Sequence, residues 1–337
     1  MKPAAQSRTP GELALIQAIR RQAVRIPKPA SLALGIGDDC ALLRPRHGHE
    51  ICVTTDFTLE GVHFRRDWHP PESVGHRCLA RGLSDLAAMG ARPLAVFLSM
   101  ALPARLPRGW FDRFLRGFLE LAERYRTPLA GGDTASSPTG TIAADIVAIG
   151  EVPAGTALLR SGARPGDAIY VTGSLGGAAA ELRQLSRNPR RFSRIGQASP
   201  EHPHLYPEPR LAVAGRLRGI AHAAIDISDG LSTDLTHLCQ ESGVAAVLEE
   251  ALLPMHPLVL EQRDALELAL HGGEDYELLF TAGPRVRIPR AITGVPIRRI
   301  GKVRESRAGQ PTLVLTTCQG RSLPIAAAGW QHFARGR

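Results

Sequence analysis

An α/β (α+β) chain of two domains is predicted by three observations. Its length is 337 residues, its short apolar runs alternate with longer amphipathic stretches, and its aspartates recur where an apolar run meets a glycine turn. Hydrophobic residues make up 44% and charged residues 22%, a composition that folds and lacks any apolar run near the ~20 residues that cross a bilayer. The N-terminal stretch has no secretory apolar core followed by a small-residue cleavage site, so a cytoplasmic protein is expected.

Residues 11–25 place Leu13, Leu15, Ile16, Ile19 and Val24 on a helical stripe that stops before Pro27. Ile51–Thr55, rich in β-branched residues, predicts a buried strand delivering Asp56 at its end. Pro70 and Pro71 open a helix to about Met89, with Val74, Cys78, Leu79, Leu83 and Leu86 on one stripe. Leu94–Met100 is a second strand, Trp110–Tyr125 an amphipathic helix, Leu129–Asp133 a turn through Gly131 and Gly132, and Thr141–Val152 a strand whose interior Asp145 has no evident role.

The Gly- and Ala-rich segment 153–165 sets the expected boundary, giving an N-terminal domain of residues 1–152 and a C-terminal domain of residues 153–337. Beyond it, strands are expected at Ala168–Thr172, Ala223–Ile227, Ala245–Leu248, Tyr276–Thr281 and Ile297–Val303, and helices at Gly173–Leu185 and Leu231–Cys239. Residues 187–209 read as a polar, Pro-rich loop.

Five scattered cysteines without a C-x-x-C pair exclude a disulfide framework and a structural zinc site, and Cys40 reads as a small buried residue. The net charge of +9 comes almost wholly from dispersed arginines, the lysines being Lys2, Lys28 and Lys302, which argues against a nucleic-acid face. No phosphate loop of the G-x-x-x-x-G-K-[ST] type occurs, and the H-R-D and D-F-G elements of protein kinases are missing.

Six acids remain: Asp39, Asp56, Asp85, Asp133, Asp226 and Asp229. Gathered in the fold, each pair ~4 Å apart would repel by about 4 kcal/mol at an effective dielectric of ~20, so cations would be needed to hold them ionised. Oxygen ligands favour Mg²⁺, and Mg²⁺ points to a phosphate substrate. For Asp85 the competing reading is an ion pair with Arg81 one turn earlier; for Asp229 it is a helix cap. Gly82 in a helix interior suggests close approach of a ligand or another backbone. Gly272 and Gly273 before Glu274 and Asp275 suggest a recognition loop.

In order, GIGDDCALL, TTDFTLEGVHF, LSDLAAMGARPLA, AGGDTASSP, LLRSGARPGDAIYVTG, AIDISDGLSTDL, GGEDYELLFT and GWQHF resemble the thiamine-monophosphate kinases, in the superfamily of aminoimidazole ribonucleotide synthetase and selenophosphate synthetase. The resemblance implies Mg²⁺-dependent, direct in-line transfer of the ATP γ-phosphoryl group to thiamine monophosphate, giving thiamine diphosphate. It implies Mg²⁺ ligands at Asp39, Thr54, Thr55, Asp56, Asp85, Asp133, Asp226 and Asp229. ATP contacts would come from Gly132, Asp133, Arg160 and Ser228, and the thiamine end would meet His63, Glu274 and Trp330; Asp56, Asp133, Asp229 and Arg160 would carry the reaction. It further implies a homodimer whose N-terminal domains pair into a barrel, with nucleotide in the cleft between domains. Gly82 stands where the family commonly has Asn, and Trp330 where it often has Tyr. Alternatives within the superfamily are an ATP-dependent amidine cyclase or a selenophosphate synthetase; the latter would carry a reactive cysteine or selenocysteine ahead of Cys40, and none is there.

Overall fold

The computed structural model describes residues 12–333. Gly11 of the expected first helix and residues 1–11 of the stretch read for a leader lie outside them. The chain divides into two compact units, one holding the described residues through Leu86 with Arg92–Ala154 and Leu185–Ser199, the other Ala87–Ala91, Gly155–Gln184 and the described residues from Pro200 onward.

In the first unit, helix α1 (Glu12–Ala23) precedes a small β1 (Leu32–Leu34) and β2 (Leu42–Leu43) pair. Then follow β3 (His49–Leu59), α2 (Pro71–Ala88, the last two residues in the second unit), β4 (Arg92–Leu102), α3 (Arg108–Arg124), β5 (Leu129–Ser136) and β6 (Ala143–Pro153). The strands form one sheet in the order β3-β6-β4-β5, with β4 and β5 parallel and the other pairs antiparallel. Val24, expected on the apolar stripe of the first helix, lies beyond α1 and is exposed.

Pro71 starts α2 with a pre-set φ and a missing N–H that needs no partner there, and Gly90, in the left-handed region, follows its end. Leu79, Leu83 and Leu86 of α2 and Phe111, Phe114, Phe118 and Leu121 of α3 are fully buried, each side chain contributing roughly 1.5–3 kcal/mol of burial. The two helices meet at glycines: a Cβ on Gly75 would lie 1.9 Å from the Phe114 carbonyl oxygen, and one on Gly117 2.0 Å from that of Glu72. Gly82 likewise faces Ala148 and Ile146 of β6, so it admits side chains of the sheet rather than a ligand or a backbone. Burial pushes the Glu72 carboxyl up, but bonds from Arg113 and Arg116 of α3 outweigh this and hold it below its ordinary value.

The second unit is built on eight strands, β7 (Ala168–Thr172), β8 (Ala223–Asp226), β9 (Val244–Glu249), β10 (Leu278–Ala282), β11 (Ala291–Ile292), β12 (Val295–Glu305), β13 (Leu313–Thr316) and β14 (Ser322–Ile325). Their order is β14-β13-β9-β12-β7-β10-β8, with β11 on β12, and among these pairs only β13 and β9 run parallel. The remaining helices of the chain are α4 (Gly177–Arg187), α5 (Pro189–Phe192), α6 (Leu211–Leu217), α7 (Leu231–Ser242), α8 (Pro257–Leu260) and α9 (Ala265–His271). Ile169, Val171, Ile225, Leu235, Leu238, Leu248, Leu279 and Ile300 pack one core. Helix α7 ends at Gly243, whose left-handed φ of 66° lets its N–H reach the Cys239 and Gln240 carbonyls.

Among the described residues no helix is long and apolar enough to cross a membrane. Cys40 is exposed, against the expectation of burial, because it lies in the open turn after Gly37 rather than on an apolar strand.

Candidate active site

Strand β8 ends on the buried Asp226, and the chain turns through Ser228, Asp229 and Gly230 into α7. One carboxylate organises this turn. Oδ2 of Asp234 accepts hydrogen bonds from the amides of Ser228, Asp229 and Gly230, each at 3.0 Å. Burial pushes the Asp234 carboxyl well up, and the charges of Asp226 and Asp229 add to the push. Sequence reasoning missed Asp234; its one signal was an acid in the first turn of a helix that already had Asp229 at its start.

Two further segments dock on the same turn through their backbones. The Glu274 amide donates to the Ser228 carbonyl at 2.8 Å and the Trp330 amide to the Asp229 carbonyl at 2.9 Å. Both contacts need glycine beside them, since a Cβ on Gly273 would lie 2.8 Å from the Ser228 oxygen and one on Gly329 2.1 Å from the Asp229 oxygen. The glycines before Glu274 therefore permit close approach to the protein's own backbone. Trp330 keeps 52% of its surface exposed, so an aromatic face remains open to a ligand. The neighbouring Asp275 is buried and accepts from the amides of Gly176 at 2.6 Å and Ala178 at 3.2 Å, at the start of α4. Burial lifts its carboxyl to about 7 against the pull of those two amides.

In the first unit, Asp56 lies in the interior of β3 rather than at its end, because β3 pairs with β6 through Leu59. Alternation along the strand sends Thr54 and Asp56 toward α2 and Thr55 to the opposite face. There Asp56 meets Arg81 at 3.2 Å and the Thr54 hydroxyl donates to Asp85. These are two pairings between helix and strand, where spacing along the helix offered one within it.

Asp39, Gly132 and Asp133 line a cavity of about 610 Å³ whose walls include Ile16, Ile19 and Leu98. Leu129–Asp133 is strand β5, not a turn, since it pairs in parallel with β4. Gly132 has φ 148° and a Cβ there would lie 1.8 Å from the Leu98 oxygen, so the strand fits against β4 as glycine alone allows. Asp145 stands in register with Ser99, which is in register with Asp133, so the three share a face of the sheet. Burial and the Asp56 charge raise the Asp145 carboxyl.

His63 and Arg160 are each held by contacts within their own unit. The Nδ1 of His63 accepts the Leu59 amide at 3.0 Å, which fixes the ring tautomer with its proton on Nε2. The exposed Arg160 is held by its backbone, its carbonyl accepting from the Ser242 hydroxyl at 2.8 Å while that oxygen takes the Gly162 and Ala163 amides. Among the described residues no group of three or more His, Cys, Asp or Glu is placed to hold a metal ion by itself. The acids are instead gathered in three places: Asp56 with Asp85, Asp39 with Asp133, and Asp226 with Asp229 and Asp234.

The family described as AIR synthase related protein matches the chain twice, by its N-terminal domain over residues 37–152 and its C-terminal domain over residues 164–313. The thiamine-monophosphate kinase of Bacillus subtilis is 36% identical over 313 residues, covering 90% of this chain and 94% of the relative. The crystal structure of the thiamine-monophosphate kinase from Stenotrophomonas maltophilia K279a superposes with a TM-score of 0.78 at 36% identity, covering 92% of this chain and 98% of that one. A structure of AaThiL complexed with AMPPCP and TMP gives 0.74 at 30% identity, covering 96% and 97%. With both domains matched and near full-length kinship above 30% identity, the chain belongs to the thiamine-monophosphate kinases of the AIR synthase related family.

Proposed function

We infer that the protein is an ATP-dependent kinase that phosphorylates thiamine monophosphate to thiamine diphosphate. The observation that carries this reading is the near full-length likeness to thiamine-monophosphate kinases, one of them complexed with an ATP analogue and TMP. The acceptor is already a phosphate oxygen, so no base is needed to generate a nucleophile. The barrier is the repulsion of two polyanions and the alignment of the γ-phosphoryl group. Arg160 supplies fixed positive charge toward the phosphates, while Gly132, Asp133 and Ser228 orient ATP. His63, Glu274 and Trp330 hold the thiamine end, with Trp330 offering a cation-π face to the thiazolium ring and Glu274 a counter-charge.

The donor sets suit Mg²⁺, because they are carboxylates and hydroxyls, and Mg²⁺ is commonly held by one or two carboxylates with phosphate and water completing its shell. Crowding of Asp226 and Asp229 against the buried Asp234 favours a cation there. Asp39, Thr54, Thr55, Asp56, Asp85, Asp133, Asp226 and Asp229 are the residues to hold such ions. Bound Mg²⁺ would neutralise phosphate charge during transfer.

Residues 1–152 serve nucleotide and metal binding and pairing, and residues 153–337 complete the catalytic apparatus. The pairing partner is a second copy of the chain. Supporting this, Ile51, Val53 and Phe57 lie 45–60% exposed along one face of β3, an apolar surface that a sheet from another copy would cover. A monomeric mass by light scattering at micromolar concentration would contradict it. Five free cysteines and the use of ATP suit the cytoplasm. Chromatography of a reaction with ATP, Mg²⁺ and either thiamine monophosphate or thiamine tests the function: thiamine diphosphate from the monophosphate supports it, and phosphorylation of thiamine alone refutes it.

A further inference from the structure

Residues 187–209 read from sequence as a polar, Pro-rich loop, yet His204, Leu205 and Tyr206 within it are buried. Three acids hold this segment. Glu181 of α4, 1% exposed, accepts from the Nδ1 of His202 at 2.6 Å through one oxygen and from the amides of His204 and Leu205 at 2.8 and 3.2 Å through the other. Glu277 takes both arms of Arg210, at 2.7 and 2.5 Å, and the Thr172 hydroxyl. The third contact is different, because its acid is the expected ligand of the acceptor substrate: the Nδ1 of His204 lies 3.1 Å from Oε2 of Glu274.

His204 is 1% exposed and Glu274 24%, so the contact is covered on one side and leaves part of the carboxylate open. Glu274 also sits at φ 68°, a conformation that disfavours a residue with a Cβ. Its amide is fixed on the Ser228 carbonyl and its carboxylate meets an imidazole whose own backbone is fixed on Glu181. A buried imidazole held from behind, at ion-pair distance from a partly open carboxylate though not aligned with it as a hydrogen bond, restricts that carboxylate's rotamers.

We propose that His204 is a positioning residue for the acceptor: it orients Glu274 toward the cationic, nitrogen-rich ring portion of the phosphorylated substrate. This rests on the reading above that Glu274 meets that portion. His204 touches no reacting atom, so it governs acceptor affinity and not phosphoryl transfer.

Steady-state kinetics of His204→Ala, His204→Asn, Glu274→Ala and the Ala/Ala double variant test the idea. Asn places an N–H where Nδ1 stands. Losing a buried close partner of a carboxylate corresponds to roughly a tenfold loss. Expected, therefore, is a rise of about tenfold in the KM for thiamine monophosphate in His204→Ala, with the ATP KM and kcat within about twofold, near wild-type behaviour in His204→Asn, and a double variant no worse than Glu274→Ala. An unchanged acceptor KM in His204→Ala beside a raised one in Glu274→Ala overturns the proposal and leaves the role of Glu274 standing. An unchanged acceptor KM in Glu274→Ala overturns both. Additive losses in the double variant place His204 in another task and overturn it as well. Should His204→Ala fail to fold, His204→Asn is compared with His204→Gln, whose N–H falls at the Nε2 position: equal acceptor KM values contradict the proposal, and a rise in Gln alone supports it.

Discussion

The turn at residues 226–230 and the turn at residues 35–40 both set aspartates beside glycine, but they are held very differently. Asp229 belongs to a turn whose amides converge on Asp234 and whose carbonyls take Glu274 and Trp330. Asp38 and Asp39 are exposed, and a side-chain bond in their turn is local, from the Asp39 amide to Asp38 Oδ1 at 2.9 Å. Asp133, across the cavity, shows the same local pattern, its Oδ1 taking the Thr134 amide at 2.8 Å. One turn is braced by amides and carbonyls from three segments, and the other by bonds between neighbouring residues.

The largest effect should follow from removing the brace. Asp234→Ala leaves three amides without their acceptor and is expected to cost about 3–5 kcal/mol of stability in urea unfolding, with activity lost. A variant as stable as wild type would show that the turn holds itself.

Next comes Gly132→Ala, in which a methyl group would meet the Leu98 carbonyl and β5 must move from β4. About 2–4 kcal/mol of destabilisation is expected, with a raised KM for ATP. Stability within 0.5 kcal/mol of wild type, a margin about that of an ordinary surface substitution, would contradict the close fit.

A pH series sharpens the picture of the second unit. Asp275 is raised from 3.8 to about 7, so between those values the folded state keeps a proton that the unfolded chain releases. Its contribution is full below about pH 4 and lost as pH rises through about 7. Between pH 5 and 7.5, wild type should lose on the order of 2 kcal/mol more than Asp275→Asn. Parallel losses would remove Asp275 from the account.

The smallest stability effect is expected at the soft turn. Asp39→Asn should unfold within about 0.5 kcal/mol of wild type while kcat falls, whereas Asp229→Asn should change both, its stability shifting because a charge that pushes on the buried Asp234 is removed. Equal behaviour of the two would erase the distinction.

What the sequence made legible were elements with strong periodicity. Helices α2, α3 and α7 and strands β4, β6 and β7 fall close to expectation, because each buries one stripe or face on a core of its own unit. Strands β13 and β14 went unread, since four-residue segments, β14 being an edge strand with Pro324, carry too little alternation to register. Asp56 was placed at a strand end and Asp133 in a turn, because an acid after an apolar run or a pair of glycines reads as a terminus; pairing with β6 and β4 carries both strands past them. The acids themselves were visible, but the residues that aim them, Asp234 and His204, were not. A positioning residue is defined by what it touches across a turn or a buried loop, and spacing along the chain does not encode that.

Label transfer tests the account most directly. Purified protein incubated with Mg²⁺, thiamine monophosphate and ATP labelled and chiral at the γ-phosphorus should place the label in the terminal phosphate of thiamine diphosphate with inverted configuration. Label confined to inorganic phosphate would contradict the kinase reading, and retention would contradict direct transfer.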